Sequence, residues 1–409
     1  MQLMGHGEWR TPHLLLILTA IHLAAASTIK AHQPAFLSPL PRLSKEINRR
    51  RTPFRAVATE ESLVGTANLD WEALRFEYLP TDGYCVYRYT AEKGWDDGRM
   101  EQEPYISLHV GATALHYGQA AFEGLKAFHC KDGKVRMFRP LDNARRLQRS
   151  AERLMMPPVP ENIFIYACRQ AVLANLAYVP PYGTGGSLYL RPVLIGSSPR
   201  IGVQPAEEYT FFVMVIPVGD YYKGGLQPVS AWVVEGYDRA APQGVGAYKV
   251  AGNYAADLLP NSIGKSKGFP IALYLDAKEN RYIDEFSTSN FIAVTQDGNT
   301  YVTPESPSIL PSITNLSLME LAKDEGLDTQ RRPVPIEEVG SFSEVAACGT
   351  AVIITPIDRI VHKDKTYVVR GPDGRPVGPV FERLYRRVRG IQYGEEADKF
   401  GWMVPLIDR

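Results

Sequence analysis

The chain is poor in cysteine, with four in 409 residues: Cys85, Cys130, Cys168 and Cys348. They lie far apart, without metal-type or redox spacing. That excludes a disulfide framework and a zinc-knuckle pattern, and leaves buried or incidental thiols of a reducing compartment. Neither sign of charge is in excess, because Lys+Arg 45 balances Asp+Glu 45. No global basic field is available to hold nucleic acid, and only a local patch would remain as a route. The apolar run at 14–26 is short for a membrane span and suits a signal-peptide core. Repeats, low-complexity tracts and sustained heptads are missing, which excludes solenoids and coiled coils.

What is present falls into two parts. Residues 27–58 carry Arg49-Arg50-Arg51 and Arg55 with Glu46 as their only acid, which is transit-peptide composition. A signal-like core followed by a transit-like segment reads as a two-step plastid (chloroplast) address. A mitochondrial or chloroplast presequence with an apolar start, and a secreted protein, are the other readings. Residues 1–60 are therefore set aside as a targeting leader. The rest is long enough for two domains, and 45% hydrophobic with 22% charged residues is globular composition.

Tyrosines and Asp-Gly turns over 81–110 predict strands and hairpins, and 111–129 a turn of helix leading into a strand. A further strand is expected over 134–139. Asp142 is expected to cap a helix over 143–155, with Leu147, Ala151 and Leu154 inward. A second helix fits 161–178, with Ile165, Val172 and Leu176 inward. Strands follow at 187–195, 209–218 and 227–235. Beyond them come a helix over 252–265 and strands at 270–275, 281–285, 290–295 and 300–303. The helix over 313–325 is closed by Gly326, the buried strand over 344–354 is interrupted at Cys348-Gly349-Thr350, and an amphipathic helix runs from Val377 to Ile391. The fold class is α/β (α+β): two mixed-sheet domains, 61–218 and 227–409, joined by a polar loop at 219–226.

The stretch Gly244-Val245-Gly246-Ala247-Tyr248-Lys249-Val250-Ala251-Gly252-Asn253-Tyr254 sets one lysine among small residues, which leave room for a flat ligand. A lysine kept dry there loses part of its preference for charge and can form a Schiff base with an aldehyde. A solvated loop lysine is the alternative from this stretch alone. A pyridoxal enzyme also needs an acid against the pyridine nitrogen, an anion cradle and a carboxylate site. Glu285 ends a strand before a polar turn, which Asn290 is expected to fix. Leu310-Pro311-Ser312-Ile313-Thr314 suits a helix start whose free N–H groups at Ile313 and Thr314 point at a phosphate. Gly349-Thr350-Ala351 is a second turn of small residues. Arg146 sits beside the buried face of its helix. Tyr189 and Arg191 share one face of a strand.

These fragments, with Ala114-Leu115-His116-Tyr117-Gly118, Phe122-Glu123-Gly124, Phe138-Arg139-Pro140 and Tyr189-Leu190-Arg191-Pro192, resemble the branched-chain amino acid aminotransferases, fold-type IV pyridoxal phosphate enzymes, across residues 65–405. The resemblance implies the D-amino acid aminotransferase-like architecture, with pyridoxal 5'-phosphate as cofactor. It implies that Lys249 forms the internal aldimine and shuttles the proton, that Tyr254 bonds the phenolic oxygen and that Glu285 pairs with the pyridinium. Arg146, Ile313, Thr314 and Thr350 would hold the phosphate. Tyr117, Phe122 and Tyr189 would line an apolar pocket, and Arg191 with Tyr117 would take the second carboxylate of glutamate or 2-oxoglutarate. The backbone near Thr350 and Ala351 would meet the α-carboxylate. It further implies a homodimer acting on leucine, isoleucine and valine, with no membrane or nucleic-acid partner in the mature form. D-amino acid aminotransferases and aminodeoxychorismate lyases share the lysine and glutamate and stand as the alternatives. The chain departs from the family at Ser312, where glycine is usual, at Ala251, and at Val352 and Thr355, where some members carry a thiol pair. No thiol switch is expected there.

Overall fold

The computed structural model describes residues 63–219, 226–371, 374–375 and 377–406. The leader, and residues 220–225 of the expected interdomain connection, lie outside them. Seven α-helices punctuate two sheets among the described residues: α1 (Thr113–Tyr117), α2 (Pro140–Arg153), α3 (Glu161–Leu173), α4 (Ala251–Ala255), α5 (Leu258–Ser266), α6 (Ile313–Asp324) and α7 (Pro379–Gln392). None is long and apolar enough to cross a membrane.

The first sheet runs in the order Met403–Pro405, Val135–Phe138, Leu125–His129, Ser187–Gly196, Glu208–Val218, Tyr84–Thr90, Gly94–Trp95. Ala120–Phe122 adds to Ser187–Gly196, and Arg99–Glu101 to Tyr84–Thr90. Its pairs are antiparallel throughout the described residues, so this sheet is not mixed as expected. Short turns join Tyr84–Thr90 to Gly94–Trp95 and Leu125–His129 to Val135–Phe138, pairs that parallel pairing would need longer crossovers to make. α2 and α3 pack on it through Leu147, Ala151, Phe164, Ala167 and Val172.

The second sheet is mixed, in the order Ile283–Phe286, Ile271–Leu275, Val229–Val233, Ile354–His362, Phe342–Cys348, Asn290–Thr295, Thr300–Pro304, Asp328–Arg332. The pair Glu285–Asn290 also joins its first strand to the sixth, closing six strands into a ring. Leu273, Phe286, Phe291, Val345 and Ile357 fill the ring. Alternation sends Ile292 and Val294 outward into a different core, with α6 and α7. Phe128 and Phe138 of the first sheet enter that same core, so the two sheets share buried apolar surface.

Local chemistry moves several expected boundaries. Asp142 is not the cap of α2: Pro140 begins the helix from Arg139 at φ 49°, and Asp142 sits in the first turn, taking a 2.7 Å bond from Arg139 Nε. α3 stops at Leu173, so Leu176 is buried from a separate turn of 3-10 helix. The helix expected over 252–265 is two, broken between Ala255 and Leu258. The strand Met403–Pro405 was not legible, being three residues paired only at the sheet edge.

Candidate active site

Lys249 leads out of a run of turns into Val250, which bridges Ala121. Phe122 N–H bonds the Lys249 carbonyl (3.1 Å), and Lys249 N–H bonds Ser150 Oγ (3.0 Å). The segment is thereby stitched to the first sheet and to α2. The small residues do not all leave space for a ligand. A Cβ at Gly246 would stand 2.2 Å from the Ser308 carbonyl, so the chain itself fills that room.

The amine donates to Tyr254 Oη at 2.8 Å and lies 4.7 Å from the centre of the Phe122 ring. Burial, and then the Arg146 guanidinium nearby, lower its pKa to about 8. Burial, then the Glu285 charge, push the Tyr254 phenol up to about 12. Only the neutral amine attacks an aldehyde. Its share grows as pH rises through the lowered pKa, so cofactor-free protein should capture pyridoxal phosphate with a rate midpoint near pH 8. Stopped-flow absorbance would show it, and a midpoint near the ordinary lysine value would contradict the dry site.

Two arginine–glutamate pairs flank the amine. Arg146 grips Glu123 through Nε (2.8 Å) and Nη2 (2.7 Å), and its Nη1 reaches the Pro311 carbonyl at 2.9 Å. Three of its five N–H groups are so used, and two remain. Glu285 accepts from Leu310 N–H (2.9 Å) and pairs with Arg239 Nη2 (2.9 Å). Burial raises its pKa to about 7, against the pull of Arg239 and of that N–H. Glu285 and Lys249 feel each other's charge, as do Arg146 and Lys249. Asn290 Nδ2 holds the Leu310 carbonyl at 2.9 Å, fixing the turn beside Glu285. Sequence reasoning gave no role to Glu123, Arg239 or Ser150.

Ser312 caps α6 at φ −81°, accepting from Asn315 N–H at 3.2 Å. The departure from glycine therefore costs no strain and adds a cap. Ile313 and Thr314 N–H have no hydrogen-bond partner among the described residues. Ile313, Thr314 and Thr350 line one small cavity, with Asn143 and Lys126. Tyr189 Oη accepts from Arg191 Nη2 at 3.1 Å, and the guanidinium lies 4.8 Å from the Phe122 ring centre. Gly124 leaves the space for that phenol, since a Cβ there would meet Tyr189 Oη at 2.3 Å.

Tyr117 is not part of this cluster. It is exposed and donates to the Ile201 carbonyl. A cleft of about 990 Å³ lies beside the cluster, lined by Phe76, residues 287–289 and the turn from Gly349 to Val352. Neither Lys249 nor Glu285 lines it.

The family model described as amino-transferase class IV matches residues 120–360. A branched-chain-amino-acid aminotransferase of Haemophilus influenzae is 46% identical over 83% of this chain and 99% of its own length. The chain belongs to the branched-chain-amino-acid aminotransferases. Branched-chain-amino-acid aminotransferase 5, chloroplastic, of Arabidopsis thaliana is 36% identical over 94% of this chain and 95% of its own. The crystal structure of the Escherichia coli branched-chain amino acid aminotransferase superposes with a TM-score of 0.67 at 27% identity, covering 80% of this chain and all of that one. The fold is thus the class IV aminotransferase fold, and class IV aminotransferases are pyridoxal phosphate enzymes. The residues fit that cofactor: an amine of lowered pKa, a buried carboxyl, an arginine with N–H groups to spare and two unpartnered helix N–H groups.

Proposed function

We propose that this transaminase moves amino groups between leucine, isoleucine or valine and 2-oxoglutarate, with Lys249 as the catalytic residue. The observation that carries the reading is the Lys249 amine, 2.8 Å from Tyr254 Oη and within the fields of Arg146 and Glu285. Arg146, Ile313, Thr314 and Thr350 hold the phosphate, Tyr254 faces the phenolic oxygen and Glu285 the ring nitrogen. Bound there, pyridoxal phosphate supplies an aldehyde that condenses with amines and a ring that withdraws electrons from the substrate Cα. Lys249 would hold the cofactor through its amine, and the free amine would take the proton from the substrate Cα. A pKa of about 8 suits both taking and returning it. Phe122 and Tyr189 form the apolar wall for a branched side chain. Arg191 takes the second carboxylate of glutamate, and the backbone at Thr350 and Ala351 takes the α-carboxylate.

Tyr117 joins this scheme from a second copy of the chain. The support is its exposure together with Leu115 (62%), Ile201 (70%) and Val203 (87%), apolar surface suited to a homodimer. The leader and the chloroplastic relative support a plastid location, with mitochondria as the alternative.

The test is a substrate panel on leader-free protein, following glutamate formed from 2-oxoglutarate. Activity restricted to D-amino acids, or pyruvate release from aminodeoxychorismate without a keto acid, would overturn the reading. Glu285→Gln should retain cofactor yet lose about a hundredfold in kcat, because a neutral amide holds the ring proton poorly. Unchanged kcat would remove Glu285 from the ring nitrogen.

A further inference from the structure

The turn 349–353 separates two spaces. Thr350 lines both of them: the small cavity it shares with Ile313 and Thr314, and the large cleft that Gly349, Ala351 and Val352 face. This wall is thinly held. The backbone bond that spans it, Gly349 N–H to the Ile353 carbonyl, is 3.3 Å long. Ala351 is exposed, and a Cβ added at Gly349 would find nothing nearer than 3.6 Å. Ile353 anchors one end in the core and Cys348 pairs with Ile354 at its base, but the tip at Gly349 and Ala351 has no close packing of its own.

A tie comes from the other sheet. Lys126, only 8% exposed, donates from Nζ to the Ala351 carbonyl at 2.9 Å. It stands on the strand Leu125–His129, directly opposite Tyr189. Opposed residues of an antiparallel pair share a face, so the strand pair that sets Tyr189 also carries this lysine. Lys126 lines the small cavity from behind the turn, whereas Ala351 lines the cleft in front of it.

We infer that Lys126 is a positioning residue. It fixes the 349–353 turn so that Thr350 meets the phosphate on one side while the Thr350 and Ala351 backbone meets the substrate carboxylate on the other. Through the strand pair it keeps this wall in register with Tyr189. The inference rests on the transaminase reading above.

The test compares wild-type holoenzyme with Lys126→Met and Lys126→Arg. A charge-assisted bond of this kind supports a loss of about tenfold. In Lys126→Met the KM for leucine and for 2-oxoglutarate should each rise about tenfold while kcat stays within about threefold. Cofactor-free Lys126→Met protein, titrated with pyridoxal phosphate by absorbance, should bind it about tenfold more weakly. Lys126→Arg should restore most of both. If Lys126→Met does not fold, Lys126→Ala, which also lacks the donor, takes its place with the same expectations. Unchanged KM and cofactor affinity would overturn the inference. So would a uniform loss of kcat and thermal stability that arginine fails to restore. A wild-type protein without transaminase activity would instead refute the underlying reading, and the cofactor titration would still report on the tie.

Discussion

Lys249→Ala protein is expected to turn over leucine and 2-oxoglutarate at most about a thousandth as fast as the parent, because both the cofactor anchor and the general base are lost. The fold should survive. The ties that place this segment run through its backbone, to Ser150 Oγ and to Phe122 N–H, and alanine keeps both. The loss should therefore appear in kcat with little change in melting temperature. Borohydride reduction followed by peptide mass analysis should label Lys249 in the parent and nothing at position 249 in the variant. Lys249→Arg should be as inactive, since a guanidinium stays charged at every working pH and cannot take a proton. Near-parental turnover in either variant would end the assignment.

The largest effect on stability is expected at Glu123. Its carboxylate is fully buried and takes two bonds from the buried Arg146 and a third, of 2.8 Å, from Asn143 Nδ2. Glu123→Leu leaves the guanidinium without its counter-charge, which costs about 3–5 kcal/mol when one partner of a buried pair is removed. Urea unfolding of cofactor-free protein would measure it. Adding Arg146→Met should recover most of that loss, because two apolar side chains can replace a buried pair at little cost. The double variant should nonetheless bind pyridoxal phosphate poorly, having lost a phosphate contact. A loss under about 1 kcal/mol in Glu123→Leu would show that Arg146 is supported by other groups.

The parts of the site legible in the sequence are those built from short spacings. Lys249 and Tyr254 are five apart and meet across one turn, and Tyr189 and Arg191 meet through the period of a strand. α6 could be placed because Pro311 and Ser312 carry their own start signal. Glu123 and Arg239 were opaque for the opposite reason. The partner of Glu123 lies 23 residues on, and that of Arg239 on a strand beyond two helices. No periodicity marks such pairs, although Glu123 stands in the same motif as Phe122 and invited the question. Asp142 was misplaced because Pro140, whose fixed φ suits the first helical position, starts the helix two residues earlier and leaves Asp142 inside the first turn. Tyr117 could be linked to the pocket by resemblance alone, and within one chain it faces elsewhere.

The last described strand, Met403–Pro405, hydrogen-bonds to Val135–Phe138, at the edge of a sheet whose other members all precede residue 219. A growing polypeptide emerging from the ribosome therefore cannot finish its first sheet until residues 403–405 are out. Early folding is left one edge short while the second sheet is still being made. A stop before residue 403, or a bulky insertion there, should accordingly injure the first sheet rather than the second sheet that precedes it in the chain.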